Sequence, residues 1–191
     1  METIRAPWPG FRVIQGGLQR SIDFSGIHIV ASPKESPPFA VEAMAVEEDT
    51  FLVMGTDPLE ADELVHPLRL MAELADFVPE TPGTVRIRET RPLQLQAIVH
   101  DIDNVPTWRE EWVKQAISKI FEIIEQRGIK SLGLPLIGTQ YGTMETRVCA
   151  KIIGSVLSTR HPGCLKKIWM ITPVPVNAET IRTISAFITA A

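Results

Sequence analysis

The sequence predicts an α/β domain built on a mostly parallel sheet. Its second half reads strand, helix, strand, helix, strand, helix, and strands separated by helices imply parallel pairing with helices over both faces. The composition is that of an ordinary globular domain, 45% hydrophobic and 22% charged. The chain has 191 residues, enough for one domain that buries about 70% of the surface its unfolded form exposes. Right-handed crossovers follow from the parallel pairing. In such sheets ligands bind beyond the carboxyl ends of the strands, which selects three loops: 32–38, 138–143 and 172–176.

The elements follow in order. Val13 and Ile14 end a short strand at Gln15-Gly16-Gly17. Residues 27–31 (IHIVA) read as a buried strand that stops at the proline-rich run 32–38, expected to be loop. Residues 39–46 alternate apolar and other side chains, Glu47-Glu48-Asp49 reads as a turn, and 50–54 follows as a second strand. The pattern predicts a hairpin over 39–56. Thr56-Asp57-Pro58 opens a helix to about Asp76, with acidic residues near its positive end. Residues 84–88 and 95–102 are strands, the second apolar and central. A long helix follows with Thr107 as its expected cap. Trp112, Ala116, Ile117, Ile120, Phe121 and Ile124 share one face at helical spacing, and Gly128 ends it. Residues 131–137 form a buried strand. The next helix carries Val148, Ala150, Ile152, Ile153, Val156 and Leu157; 167–171 is the last strand, and 178–189 a final helix capped by Asn177. The domain is expected to span 11–191 after an extension at 1–10.

Composition excludes several classes. A net charge of −4 and a pI near 5.6 argue against bulk nucleic-acid binding. No apolar run reaches membrane-spanning length, residues 1–10 lack the apolar core of a signal peptide, and the cytoplasm is the default compartment. Cys149 and Cys164 are read as reduced thiols. His28, His66, His100 and His161 are scattered, so neither a metal site nor a cofactor is expected.

The run Pro135-Leu136-Ile137-Gly138-Thr139-Gln140-Tyr141-Gly142-Thr143 carries the chemistry. It leads from a strand into a helix. Its glycines permit close backbone approach, Thr143 can cap the helix, and amides at such a turn can cradle an anion. On these grounds alone a diphosphate cradle and a tight turn without ligand weigh evenly.

The stretch 131–153, SLGLPLIGTQYGTMETRVCAKII, resembles the second half of macro domains, where a strand of this kind leads through a phosphate-binding glycine turn into a helix. Ala97-Ile98-Val99-His100 is similar to that family's central strand. The opening runs Arg12-Val13-Ile14-Gln15-Gly16 and Gly26-Ile27-His28-Ile29-Val30 resemble its first pair of strands. The likeness covers about residues 11–174 and fits worst at 39–56. It implies a three-layer α/β/α fold with a mostly parallel mixed sheet. It also implies binding of ADP-ribose, which some members remove from proteins or nucleic acids. The sequence departs from the family at Gly17, where binders carry the aspartate that receives the adenine amino group. It departs again at Ser32-Pro33, where active members carry asparagine, and at Gln140, where a glycine is usual.

The resemblance implies roles for particular residues. Gly138, Thr139, Gln140, Tyr141 and Gly142 hold a diphosphate through backbone donors. Ser32 and Lys34 line the distal ribose, and Gly16, Gly17, Thr172 and Pro173 flank the base. Lys34 either neutralises a phosphate or is solvated; Tyr141 covers the ligand or packs. His100 reads as a satisfied core histidine, Trp108 and Trp112 as cover for the core, and Glu145 as compensation for the helix dipole. Asp101 and Asp103 cap or face solvent unless one holds a water as a general base. The expected function is a divergent macro domain binding ADP-ribose or a related diphosphate nucleotide metabolite, free or on an ADP-ribosylated protein, without efficient hydrolysis. Any catalysis would be removal of ADP-ribose by a rearranged site. The alternative is a macro-like scaffold that has lost its ligand. A third reading is a hydrolase using Asp101 or Asp103 on a phosphorylated metabolite.

Overall fold

The computed structural model describes residues 11–14, 17–54, 78–160, 162–172 and 186. The helices expected at 56–76 and 178–189 fall almost wholly outside them. Eight strands form one mixed sheet among the described residues: β1 (Phe11–Ile14), β2 (Gly17–Phe24), β3 (Ile27–Pro33), β4 (Ala43–Asp49), β5 (Val85–Arg88), β6 (Leu93–His100), β7 (Ser131–Pro135) and β8 (Lys167–Thr172). Their order is β1-β2-β3-β8-β7-β4-β6-β5. The five inner strands, from β3 to β6, run parallel, and antiparallel pairs close both edges. β5 presents Arg86 and Arg88 outward, and charged side chains discourage a further strand from pairing there.

Helix α1 (Glu110–Arg127) packs on β6 and against α2 (Thr146–Arg160). α1 buries Val113, Ala116, Ile117, Ile120, Phe121, Ile123 and Ile124 at helical spacing. They meet Leu95, Ala97 and Val99 of β6, alternate residues that share one face of that strand. Trp112 lies at the rim of the buried stripe, half-buried, with the Arg109 guanidinium 5.0 Å above its ring. Thr107 does not cap α1. The N-cap position is Arg109, with no side-chain cap, and the Thr107 carbonyl instead accepts from the Asp101 amide at 2.7 Å.

The largest difference from the sequence expectation lies at 39–56. No hairpin forms there. β4 is an inner parallel strand between β7 and β6, and 50–54 is an irregular turn. Burial alternates along β4 from Ala43 to Glu47, but the acidic end of the run is buried rather than solvated. Glu47, Glu48 and Asp49 are all at most 5% exposed. Buried carboxylates persist only with donors to satisfy them. Asp49 takes three backbone amides, Phe51 at 2.6 Å, Val53 at 3.0 Å and Met54 at 2.8 Å, and so folds the turn around itself. The proline-rich loop also starts later than expected, because β3 continues through Ser32 and Pro33.

Cys149 and Cys164 are unpaired thiols. Burial, then the Glu47 carboxylate, pushes the Cys149 thiol well above its ordinary range. No described helix is long and apolar enough to cross a membrane.

Gly128 closes α1 in the left-handed region, φ 65°, and its amide bonds back to Glu125 at 3.2 Å. A Cβ there would meet nothing within 4 Å, so Gly128→Ala isolates the backbone cost. Urea titration should show a loss of about 1–2 kcal/mol with an unchanged slope.

Candidate functional site

The parallel strands end together, and the turn after β7 lies at that edge. Its path is set by local bonds. The Ile137 amide donates to the Pro135 carbonyl at 2.9 Å and the Thr139 amide to Leu136 at 3.1 Å. The Thr139 hydroxyl donates to the same Leu136 carbonyl at 2.6 Å. Gly138 adopts φ 87°, a conformation that other residues rarely hold. A Cβ on Gly142 would stand 2.4 Å from the Gly138 carbonyl oxygen. Both glycines are thus required by the shape of the turn itself, before any ligand is considered.

The turn surrounds a carboxylate of its own chain. Glu47 Oε2 accepts the Gly138 amide at 2.9 Å, and Oε1 accepts the Tyr141 amide at 3.4 Å. The same Oε1 lies 2.5 Å from His100 Nε2, with the two side chains 2% and 1% exposed. His100 Nδ1 has no partner among the described residues. His100 is therefore a core histidine satisfied on one side, and the Tyr141 ring stands edge-on to it at 6.5 Å. Two of the backbone donors expected to face a diphosphate face Glu47 instead. The reason lies in the sheet order, which brings the end of β4 beside the end of β7. Glu47 shares a strand face with the core residues Ala43 and Ala45 and points under the turn.

Above the turn a cleft of about 510 Å³ opens between the ends of β3, β8 and β7. Lys34, Glu35, Thr139, Gln140, Thr146 and Thr172 supply its polar lining, with Pro135, Leu136, Met144 and Ile171 as the apolar part. Thr172 is 4% exposed, and its hydroxyl has no partner among the described residues. Buried hydroxyls are as a rule hydrogen-bonded, so this one marks a polar group of the cleft wall whose partner lies beyond the described contacts.

The structure brings together Lys34, Thr139, Gln140 and Thr172 from the sequence-predicted set. Gly138, Tyr141 and Gly142 build the turn, but are not among the cleft-lining residues. Tyr141 is half-exposed. Ser32 is buried in β3 and spends its hydroxyl on the Ser36 carbonyl at 2.9 Å. Gly17 opens β2 opposite Ile14. Gly16 and Pro173 lie outside the described residues. Thr143 does not cap α2: its hydroxyl accepts from Trp108 Nε1 at 3.2 Å and ties the turn to the loop after β6. Glu145 precedes α2 rather than sitting in its first turn. Asp101 is committed locally, accepting the Asp103 amide at 3.2 Å and the Asn104 side-chain amide at 2.7 Å. Sequence reasoning missed Glu47. The available signal was three acids closing an apolar strand, and it was read as a solvated turn.

No family model matches the chain, and no curated protein matches it. A mixed sheet with a parallel centre, antiparallel edges and a glycine turn bordering a cleft defines a class of α/β domains, and solved structures identify the fold within it. The Oceanobacillus iheyensis macrodomain with ADP superposes at a TM-score of 0.62 and 13% identity, over 90% of this chain and 95% of that one. The Trypanosoma brucei macrodomain in complex with ADP-ribose superposes at 0.55 and 15% identity, over 83% of this chain and 68% of that one. The chain therefore has the macrodomain fold.

Gly142→Ala tests how tightly the turn is built. The added methyl group must push the Gly138 carbonyl aside, and urea unfolding should show a loss of about 1–3 kcal/mol. A neutral substitution would mean that the turn is looser than its contacts indicate.

Proposed function

We propose that the cleft binds ADP-ribose or a related diphosphate nucleotide, and that the protein does not hydrolyse it efficiently. The observation that carries this reading is the buried Thr172 hydroxyl, without a partner among the described residues, in a cleft that also presents Lys34. The lining suits a nucleotide: apolar Ile171 and Met144 for a base or ribose face, hydroxyls of Thr139, Thr146 and Thr172 for sugar oxygens, and one ammonium for phosphate. Similar folds hold ADP and ADP-ribose. The absence of efficient hydrolysis is supported by Ser32-Pro33 at the end of β3 and by Asp101, whose carboxylate is tied into its own turn. A protein bearing ADP-ribose would present the same group to the same cleft.

A second reading, a scaffold that has lost its ligand, is favoured by one observation: Glu47 already occupies the Gly138 and Tyr141 amides. Thermal unfolding separates the two. ADP-ribose at about 100 times its dissociation constant adds about 2.7 kcal/mol, which should raise the midpoint by roughly 5–10 °C for a chain of this size. Lys34→Ala should reduce that shift without changing the midpoint of the free protein. No shift with ADP-ribose, ADP, ATP or NAD would overturn the proposal in favour of the scaffold.

A further inference from the structure

Glu47 has a consequence for which nucleotides the cleft can distinguish. An anion held by a glycine turn is held by inward-facing amides. Here two of them, Gly138 and Tyr141, end on a carboxylate that is 2% exposed and also bonded to His100. The carboxylate therefore sits where the turn would otherwise concentrate positive potential. Neither Gly138 nor Tyr141 lines the cleft, and a phosphate there gains nothing from these two amides while the buried acid holds them. The rest of the lining gives little help to a second phosphate. Among the described cleft residues Lys34 brings one cation and Glu35 one anion, so the lining carries no net formal charge from them.

Resting on the nucleotide-binding reading above, we infer that Glu47 is a built-in ligand of the glycine turn and a specificity determinant. The cleft grips a nucleotide through a single phosphate at Lys34, and the second phosphate of a diphosphate gains no further hold. Glu47 does this without touching the ligand, by deciding what the turn's amides face. Its conservative variant Glu47→Gln keeps the side-chain shape but can no longer accept with both terminal atoms, since the amide nitrogen donates. One turn amide thereby loses its internal acceptor and is free to take another.

The test is calorimetric titration of the wild type and Glu47→Gln with AMP, ADP and ADP-ribose, with circular dichroism to verify the fold of the variant. In the wild type the dissociation constants for AMP and ADP should lie within fivefold of each other. In Glu47→Gln the ratio should move at least fivefold in favour of ADP, while Lys34→Ala weakens both nucleotides alike. A wild type that binds ADP more than fivefold tighter than AMP overturns the inference and leaves the binding reading intact. So does a folded variant with an unchanged ratio. If Glu47→Gln does not fold, the wild-type ratio alone decides. If no nucleotide binds the wild type or the variant, the binding reading itself has failed, and the inference falls with it.

Discussion

A buried carboxylate organises this end of the molecule. Glu47 accepts two backbone amides from the turn after β7 and pairs with His100 at the end of β6. Three segments distant in sequence are thereby tied at one point. Removing one partner of a buried hydrogen-bonded group costs about 1–3 kcal/mol for the atom left unsatisfied, whereas the intact bond adds only about 0.5–1.5 kcal/mol net. The group is better understood as fixing a geometry than as a source of stability. What it fixes is the path of the glycine turn, and through it the floor of the cleft.

The sheet order makes this possible. β4 is inserted between β7 and β6, so its carboxyl end emerges between the glycine turn and the loop that follows β6. That strand end carries a division of labour among three acids. Glu47 serves the glycine turn, Asp49 folds residues 50–54 around its own oxygens, and Glu48 accepts from the Gln96 side chain at 3.4 Å. Trp108 adds a second tie through Thr143. The same edge leaves Thr172 buried in the wall of the cleft, its hydroxyl without a partner among the described residues. One side of the turn is thus saturated from within, and the other borders a polar space.

Much of the fold was legible in the sequence because it rests on periodicity. The stripe of α1, its glycine stop at Gly128, and the apolar runs of β3, β6, β7 and β8 are local signals. Their alternation determines the parallel centre. The glycine turn was legible too, since Gly138 and Gly142 have few other uses between a strand and a helix. What was not legible is the pairing of groups across the sheet. Alternating residues before Glu47-Glu48-Asp49 suit a half-solvated hairpin as well as an inner strand. Only the tertiary arrangement supplies the 91-residue span from Gly138 to Glu47 that satisfies a buried acid. For the same reason the donors of the turn were assigned to a ligand rather than to the protein. Capping at Thr107 and Thr143 misled likewise: both are good caps by type, but one lends its carbonyl to Asp101 and the other its hydroxyl to Trp108.

Amide hydrogen exchange at Gly138 is the most direct test of this account. The amide lies in a turn, outside the helices and strands, so protection there has to come from its specific partner. If Glu47 holds it, the Gly138 amide of the free wild-type protein should exchange slowly, on the scale of the strand amides of β7, and Glu47→Ala should release it while β7 stays protected. An amide that already exchanges at the rate of an open loop in the wild type would contradict the claim that the turn is occupied from within.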